Sequence, residues 1–150
     1  MRYSEIKKDL FTVDKTWHLA HCIASDLKMS AGIAVQFQKK FNLRGKIQKS
    51  GKKKKHPTCI LTGRVFNLIT KKKSSSKPTI YSVEKAIDQM AYIALKNGIT
   101  KIAMPKIACG LDGLSWVLVR KIIGCAFMDT NIHIIVCKKG KVRWLKKKKK

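Results

Sequence analysis

Acidic side chains are scarce in this chain of 150 residues: 8 Asp and Glu stand against 34 Lys and Arg, for a formal net charge of +26. The partners this implies are phosphate-rich polymers or anionic surfaces. Arginine is scarce as well, with five of the 34 basic residues. Lysine is a strongly hydrated point charge, so the excess suits sequence-blind attraction better than bidentate base reading. Only four asparagines occur, which argues against an A-rich reading frame as the source of the lysines. No apolar run approaches 18 residues, so no membrane span is expected. The opening segment MRYSEIKKDLF carries charges where a signal peptide has its apolar core, and the expectation is an intracellular chain of nucleus or cytoplasm. Five cysteines (22, 59, 109, 125 and 137) contain no CxxC pair, which fits neither a disulfide framework nor a zinc ribbon. Each is expected to be a small buried apolar residue. His18 and His21 fall on opposite faces of a strand, while His56 and His133 lack ligand-spaced partners, so no metal is expected. Walker, GxGxxG and GxSxG signatures are missing, and with them the signals of P-loop, dinucleotide and Ser-His-Asp chemistry.

Hydrophobic residues make up 45% of the chain, enough for one globular domain of this length. The expected domain is 1–144, followed by a basic, unfolded tail at 145–150 whose like charges have nothing to bury. A second lysine run, from Gly51 to Lys55, reads as an exposed loop before Pro57. Between the runs, short apolar strands alternate with amphipathic helices. Leu19–Ile23 has strand length, and a helix is expected from Ala31 to before Asn42. Thr58–Leu61 and Val65–Thr70 flank a Gly63 turn as a hairpin. After the Ser74–Thr79 loop, Ser82 gives a weak cap signal before the periodic run Val83, Ile87, Met90, Ala94, which Asn97 and Gly98 close. Ile99–Met104 and Ile132–Val136 read as strands on either side of a helix from Trp116 to Phe127. This alternation predicts a layered α/β domain.

Ligands of open α/β sheets bind beyond the carboxyl ends of strands. Three segments qualify: the small residues Met29–Ile33 before a helix, Lys71 and its neighbours, and the glycine-containing loop from Ile107 to Gly113. Amides of the first could cradle a phosphate at a helix amino terminus. Of the 8 carboxylates, only Asp112 sits in a glycine-flanked loop after a strand. Its alternative role is to cap its own turn. Lysine becomes a nucleophile when burial or neighbouring cations destabilise its ammonium, and Lys72 and Lys73 are such neighbours. A KKK run is otherwise an ordinary solvated face.

Seven segments, taken together, resemble the macro domain family, in the branch of terminal ADP-ribose protein glycohydrolases. They are Lys7–Phe11, Leu19–Ile23, Met29–Val35, Leu68–Lys71, Lys77–Thr79, Lys96–Gly98 and Met104–Asp112, and the resemblance covers about residues 3 to 137. It implies a three-layer α/β/α sandwich with a mixed central sheet and an ADP-ribose cleft at the strand ends. It also implies that Asp9, beside Leu10, accepts a hydrogen bond from the adenine amino group. His21, Cys22, Ile23 and Thr70 would border the ligand, while Met29, Ser30, Ala31, Gly32, Ile33 and Ile107, Ala108, Cys109, Gly110, Leu111 wrap the diphosphate and distal ribose. Lys71 would attack the anomeric carbon, and Asp112 would move the proton and resolve the adduct, with no cofactor. Four positions depart from the family pattern: Lys8 and Ser30 replace glycines, Ala24 replaces a serine and Ala108 replaces a glycine.

Two functions follow as expectations. The first is a monomeric hydrolase that removes mono- or terminal ADP-ribose from acidic side chains of ADP-ribosylated proteins. The second is a basic module for poly(ADP-ribose), RNA or DNA in which the lysine runs bind and the cleft is weakened or non-catalytic.

Overall fold

The computed structural model describes residues 1–139, so the expected boundary at 144 and the 145–150 tail lie outside the described residues. Six strands form one sheet: β1 (Arg2–Lys7), β2 (His18–Ala24), β3 (Thr58–Thr62), β4 (Val65–Lys71), β5 (Lys101–Met104) and β6 (His133–Lys138). Their order is β1-β6-β5-β2-β4-β3; every pairing is parallel except that of β3 with β4. The sheet is therefore mixed, as expected. Four helices cover it: α1 (Ile33–Phe41), α2 (Leu43–Ser50), α3 (Ile80–Lys96) and α4 (Trp116–Phe127).

Strand periodicity divides the core in two. Ala20, Phe66, Leu68, Ile102 and Val136 point toward α3 and α4, where they meet Val83, Ile87, Met90, Val119 and Phe127. Their neighbours Leu19, Ile23, Val65, Ile69 and Ile135 point the other way and meet Phe37, Leu43 and Ile47 of α1 and α2. The layers are helix, sheet, helix.

Most element ends match the sequence signals, with informative exceptions. The cap of α3 is Thr79 rather than Ser82: Thr79 Oγ1 accepts from the Ser82 amide at 3.0 Å, and Ser82 Oγ accepts from the Thr79 amide at 3.1 Å. Ser82 is the return half of a capping box. Strand β5 starts at Lys101 because the Ile99 amide still bonds to Ala94 O, at 2.9 Å, as part of the turn that ends α3. Two elements, β1 and α2, carry no clear periodic signal. Helix α2 buries only Leu43 and Ile47, and β1 is an edge strand with no fully buried residue. Cys59 and Cys137 are buried as expected, but Cys22 and Cys109 are half-buried and Cys125 is exposed on α4.

Candidate active site

The parallel strands β2, β4, β5 and β6 all end on one side of the sheet, and the loops beyond them enclose a cleft of about 1470 Å³. The first wall is the segment between β2 and α1. Asp26 anchors it: its carboxylate accepts from the Ser74 amide and hydroxyl, both at 2.8 Å, and from the Lys28 amide at 3.1 Å. Arg44 on α2 braces the same segment by donating to Leu27 O at 2.8 Å and Lys28 O at 2.6 Å. Thus a helix with little sequence signal holds the loop in which Met29–Ile33 lie.

The second wall is the loop after β5. The Leu114 amide closes it on Ala108 O at 3.0 Å, and Lys77 Nζ donates to Leu111 O from across the cleft. The two walls nearly touch. A side chain at Gly32 would begin 3.3 Å from Leu111 Cδ1, and Gly32 has φ +61°, so only glycine fits. Left-handed backbone concentrates here: Leu27 (φ 57°), Met29 (46°) and Ala108 (62°) are three of the four such non-glycine residues among those described. Such conformations persist where the surrounding structure over-determines them. Of the departures at family glycines, Ala108 therefore occupies a left-handed site and Ser30 does not.

At the meeting point of these walls, Lys71 at the end of β4 donates from Nζ to Asp112 Oδ1 at 2.8 Å, with both side chains 15% exposed. The Lys71–Lys73 run is thus not uniformly a solvated face, because its first residue turns into the cleft while Lys72 and Lys73 stay exposed. Asp112 does not cap its own turn but pairs with Lys71. Along the remaining length, Asp9 caps a short 3-10 turn at Leu10–Thr12, with Oδ1 accepting from the Phe11 amide at 3.0 Å.

Of the residues singled out in the sequence, Asp9, Leu10, Cys22, Ile23, Met29, Ser30, Ala31, Gly32, Ile33, Ile107, Ala108, Gly110 and Leu111 line the cleft with Lys71 and Asp112. His21, Thr70 and Cys109 are not among its lining residues. His21 is fully buried on the α1 face of the sheet. Its Nε2 lies 2.7 Å from Asn67 Oδ1, and its ring stacks on Phe37 with centroids 3.9 Å apart. The Asn67 amide is oriented by its Nδ2, which donates to Ile60 O and Thr62 Oγ1 at 3.0 Å, so Nε2 of His21 is the donor. Burial pushes this imidazole down to about 4 and keeps it neutral. Thr70 faces α3, away from the main cleft. Burial likewise pushes the thiols of Cys22 and Cys109 up, so both stay protonated at neutral pH.

The structure adds residues that sequence reasoning missed. Phe11, Lys77 and Lys106 belong to segments already noted, but Ser74–Ser76, Lys138 and Lys139 come to the cleft only through the loops and the β1–β6 pairing. Seven lysines line the cleft against two carboxylates, Asp9 and Asp112. Low-dielectric walls of one sign focus the field on an anionic ligand. Among the described residues no group of His, Cys, Asp and Glu could hold a metal ion.

A mixed sheet between two helical layers, with a cationic cleft over its carboxyl edge and a Lys–Asp pair inside, defines an α/β sandwich whose cleft lies at its strand ends. The chain belongs to the macro domain family, whose model matches residues 20–123. It is 44% identical over 140 residues to the ADP-ribose glycohydrolase OARD1 of Homo sapiens, covering 90% of each chain. The macrodomain of Thermus aquaticus DarG superposes with a TM-score of 0.78 at 20% identity, over 90% of this chain and 97% of that one. The Thermosipho africanus DarTG in complex with ADP-ribose superposes at 0.77 and 18% identity, over 91% of this chain and 41% of that one. At such identities these two likenesses show the fold.

Proposed function

We propose that the protein is an ADP-ribose glycohydrolase that removes mono- or terminal ADP-ribose from acidic side chains, with Lys71 as nucleophile and Asp112 as its proton partner. The observation that carries this reading is the 2.8 Å contact between Lys71 Nζ and Asp112 Oδ1 inside a cleft that both phosphate-type loops border. The likeness in sequence to ADP-ribose glycohydrolase OARD1 supports it. The ion pair is the resting state. To attack, Lys71 gives one proton to Asp112, and its lone pair forms the bond to the anomeric carbon as the ester C–O bond breaks. The leaving carboxylate departs with the bonding electrons. Asp112 passes its proton to the departed carboxylate and, as a carboxylate again, takes one from the water that displaces the lysine nitrogen; that proton returns to Lys71. Lys77, Lys106 and the backbone amides of the two loops hold the diphosphate, and Asp9 Oδ2, not used in its cap, is the acceptor for adenine.

Single-turnover release of ADP-ribose from a glutamate-linked substrate tests the mechanism. Lys71→Ala abolishes release, and Asp112→Ala slows it by about 10²–10⁴, the usual worth of a proton-transfer group. Both variants still bind ADP-ribose within a few-fold. Full activity in Lys71→Ala removes the proposed chemistry. The seven lysines of the cleft favour a second reading, a module for poly(ADP-ribose) or nucleic acid, which a salt titration distinguishes.

A further inference from the structure

Strand β4 reaches the site through an irregularity. Between Ile23 and Ala24 of β2, the paired residue on β4 jumps from Ile69 to Lys71, so Thr70 faces no residue of β2. A bulge of this kind re-aims the side chain that follows it and disrupts the ladder at the same point. Past the bulge, the Ser25 amide donates to Lys71 O at 2.9 Å. The next tie is Asp26. Its Oδ2 accepts from the Ser74 amide and its Oδ1 from the Ser74 hydroxyl, both at 2.8 Å. Lys28, Lys72 and Lys73 are within two residues of Asp26 or Ser74 along the chain, yet the ion pairs of the described residues go to Glu5 and Asp112. Asp26 thus turns its charge to an amide and a hydroxyl of the segment that leaves Lys71, rather than to a neighbouring ammonium. Arg44 braces the other wall by different bonds. Its guanidinium donates to Leu27 O and Lys28 O, immediately before Met29–Ile33, and among the described residues it makes no hydrogen bond to the β4–α3 segment.

Within the hydrolase reading, on which this rests, we propose that Asp26 is a positioning residue for the nucleophile and that the two braces have separate tasks. Asp26 aims Lys71, and Arg44 shapes the loop that holds the diphosphate. Without the Asp26–Ser74 bonds the segment from Lys72 to Lys77 is no longer tied to the end of β2, and the strand end frays back toward the bulge. Lys71 Nζ then loses its 2.8 Å placement against Asp112. The loop Met29–Ile33 stays in place, because Arg44 still holds the carbonyls before it. Loss of Arg44 does the reverse: the loop loosens while the Asp26–Ser74 tie and the Lys71–Asp112 contact remain.

The test combines single-turnover release of ADP-ribose from a glutamate-linked substrate at saturating enzyme with calorimetric titration of ADP-ribose into the full chain. Asp26→Ala lowers the rate constant by about 10–100-fold, the scale of misplacing a reacting group by about 1 Å, and changes ADP-ribose affinity by less than about threefold. Asp26→Asn keeps an oxygen for the Ser74 hydroxyl and the Lys28 amide, and recovers more than half of that loss on a logarithmic scale. Arg44→Ala weakens ADP-ribose by about tenfold and leaves the rate constant within about threefold. Arg44→Lys, a point charge in place of the fork, falls between, which guards against a folding defect. Asp14→Ala removes a carboxylate that holds Thr16 by the same kinds of bond at the opposite end of β2, and changes neither quantity. Three results overturn the proposal: a wild-type rate in Asp26→Ala, no recovery in Asp26→Asn, or the same loss of affinity in Asp26→Ala as in Arg44→Ala with the rate constant unchanged. If the wild type releases no ADP-ribose, the hydrolase reading fails, and the nitrogen NMR signal of the Lys71 ammonium still decides the role of Asp26. Slow proton exchange in wild type and Arg44→Ala with fast exchange in Asp26→Ala supports it, and equal exchange in all three overturns it.

Discussion

Replacing His21 by glutamine removes a titratable group while keeping a donor for Asn67 Oδ1, and the structure sets both the sign and the size of the outcome. In the unfolded chain this imidazole protonates near its ordinary 6.5, whereas in the fold, fully buried between Asn67 and Phe37, it resists protonation down to about 4. Between those values the unfolded state binds more protons than the folded one, so stability is fully present above pH 6.5 and is lost as pH falls toward 4. At about 1.36 kcal/mol per pH unit of difference, the loss attributable to His21 is about 3 kcal/mol. That is a large part of the 5–15 kcal/mol net stability usual for a domain. His18 and His133 are also shifted down by burial and act with the same sign, so the difference between wild type and His21→Gln isolates His21. Glu5 acts in a lower window. Its carboxylate, held at about 2 first by the Tyr3 hydroxyl at 2.7 Å, contributes stability above pH 4.5 that disappears toward pH 2. Urea unfolding at pH 7, 6, 5 and 4 is the assay. The wild-type curve should fall toward that of the variant by about 3 kcal/mol over this range. Parallel curves, or a His21 ring that titrates near 6 in the folded protein by NMR, refute the reasoning.

Three further outcomes are expected. Ala108→Gly relieves about 1–2 kcal/mol of left-handed strain but loses about 0.8 kcal/mol of methyl burial and about 0.4–1 kcal/mol through the freer unfolded chain. Its stability should stay within about 1 kcal/mol of wild type, while Ala108→Val, β-branched at φ 62°, should lose about 1–3 kcal/mol; equal losses would contradict the φ assignment. Thr70→Val should be more stable by about 1 kcal/mol, because a buried hydroxyl without a partner carries its desolvation cost; a less stable variant would mean that the hydroxyl is paired. Binding to duplex DNA, if the lysines engage phosphates, should follow a log–log salt slope of about −0.9 per contact, and a flat response removes the polyanion reading.

Much of the architecture was legible in the chain. The helix from Trp116 to Phe127, the β3–β4 hairpin and the close of α3 at Asn97 and Gly98 depend on periodicity, β-branching and turn residues, which act over a few neighbours. Lys71 and Asp112 could be singled out for the same reason, since the end of an apolar strand and a glycine-flanked acid are local marks. Their 2.8 Å meeting is not local. They are 41 residues apart, and only the adjacency of β4, β2 and β5 in the sheet brings their loops together. Nor could sequence reveal β1 and α2, whose hydrophobic content is too slight to stand out until β6 pairs with the one and Leu43 and Ile47 dock the other. His21 sits in a segment that suggested the ligand, yet a strand exposes alternate residues to opposite faces, and the position of α1 buries this one. The chain alone thus determined most of its elements, its charge and its reactive residue types, because those depend on composition and short-range geometry. Which lysine leaves the solvated run, which backbone is held left-handed and which hydroxyl lacks a partner were decided by long-range packing, where each contact is set by residues far away in sequence.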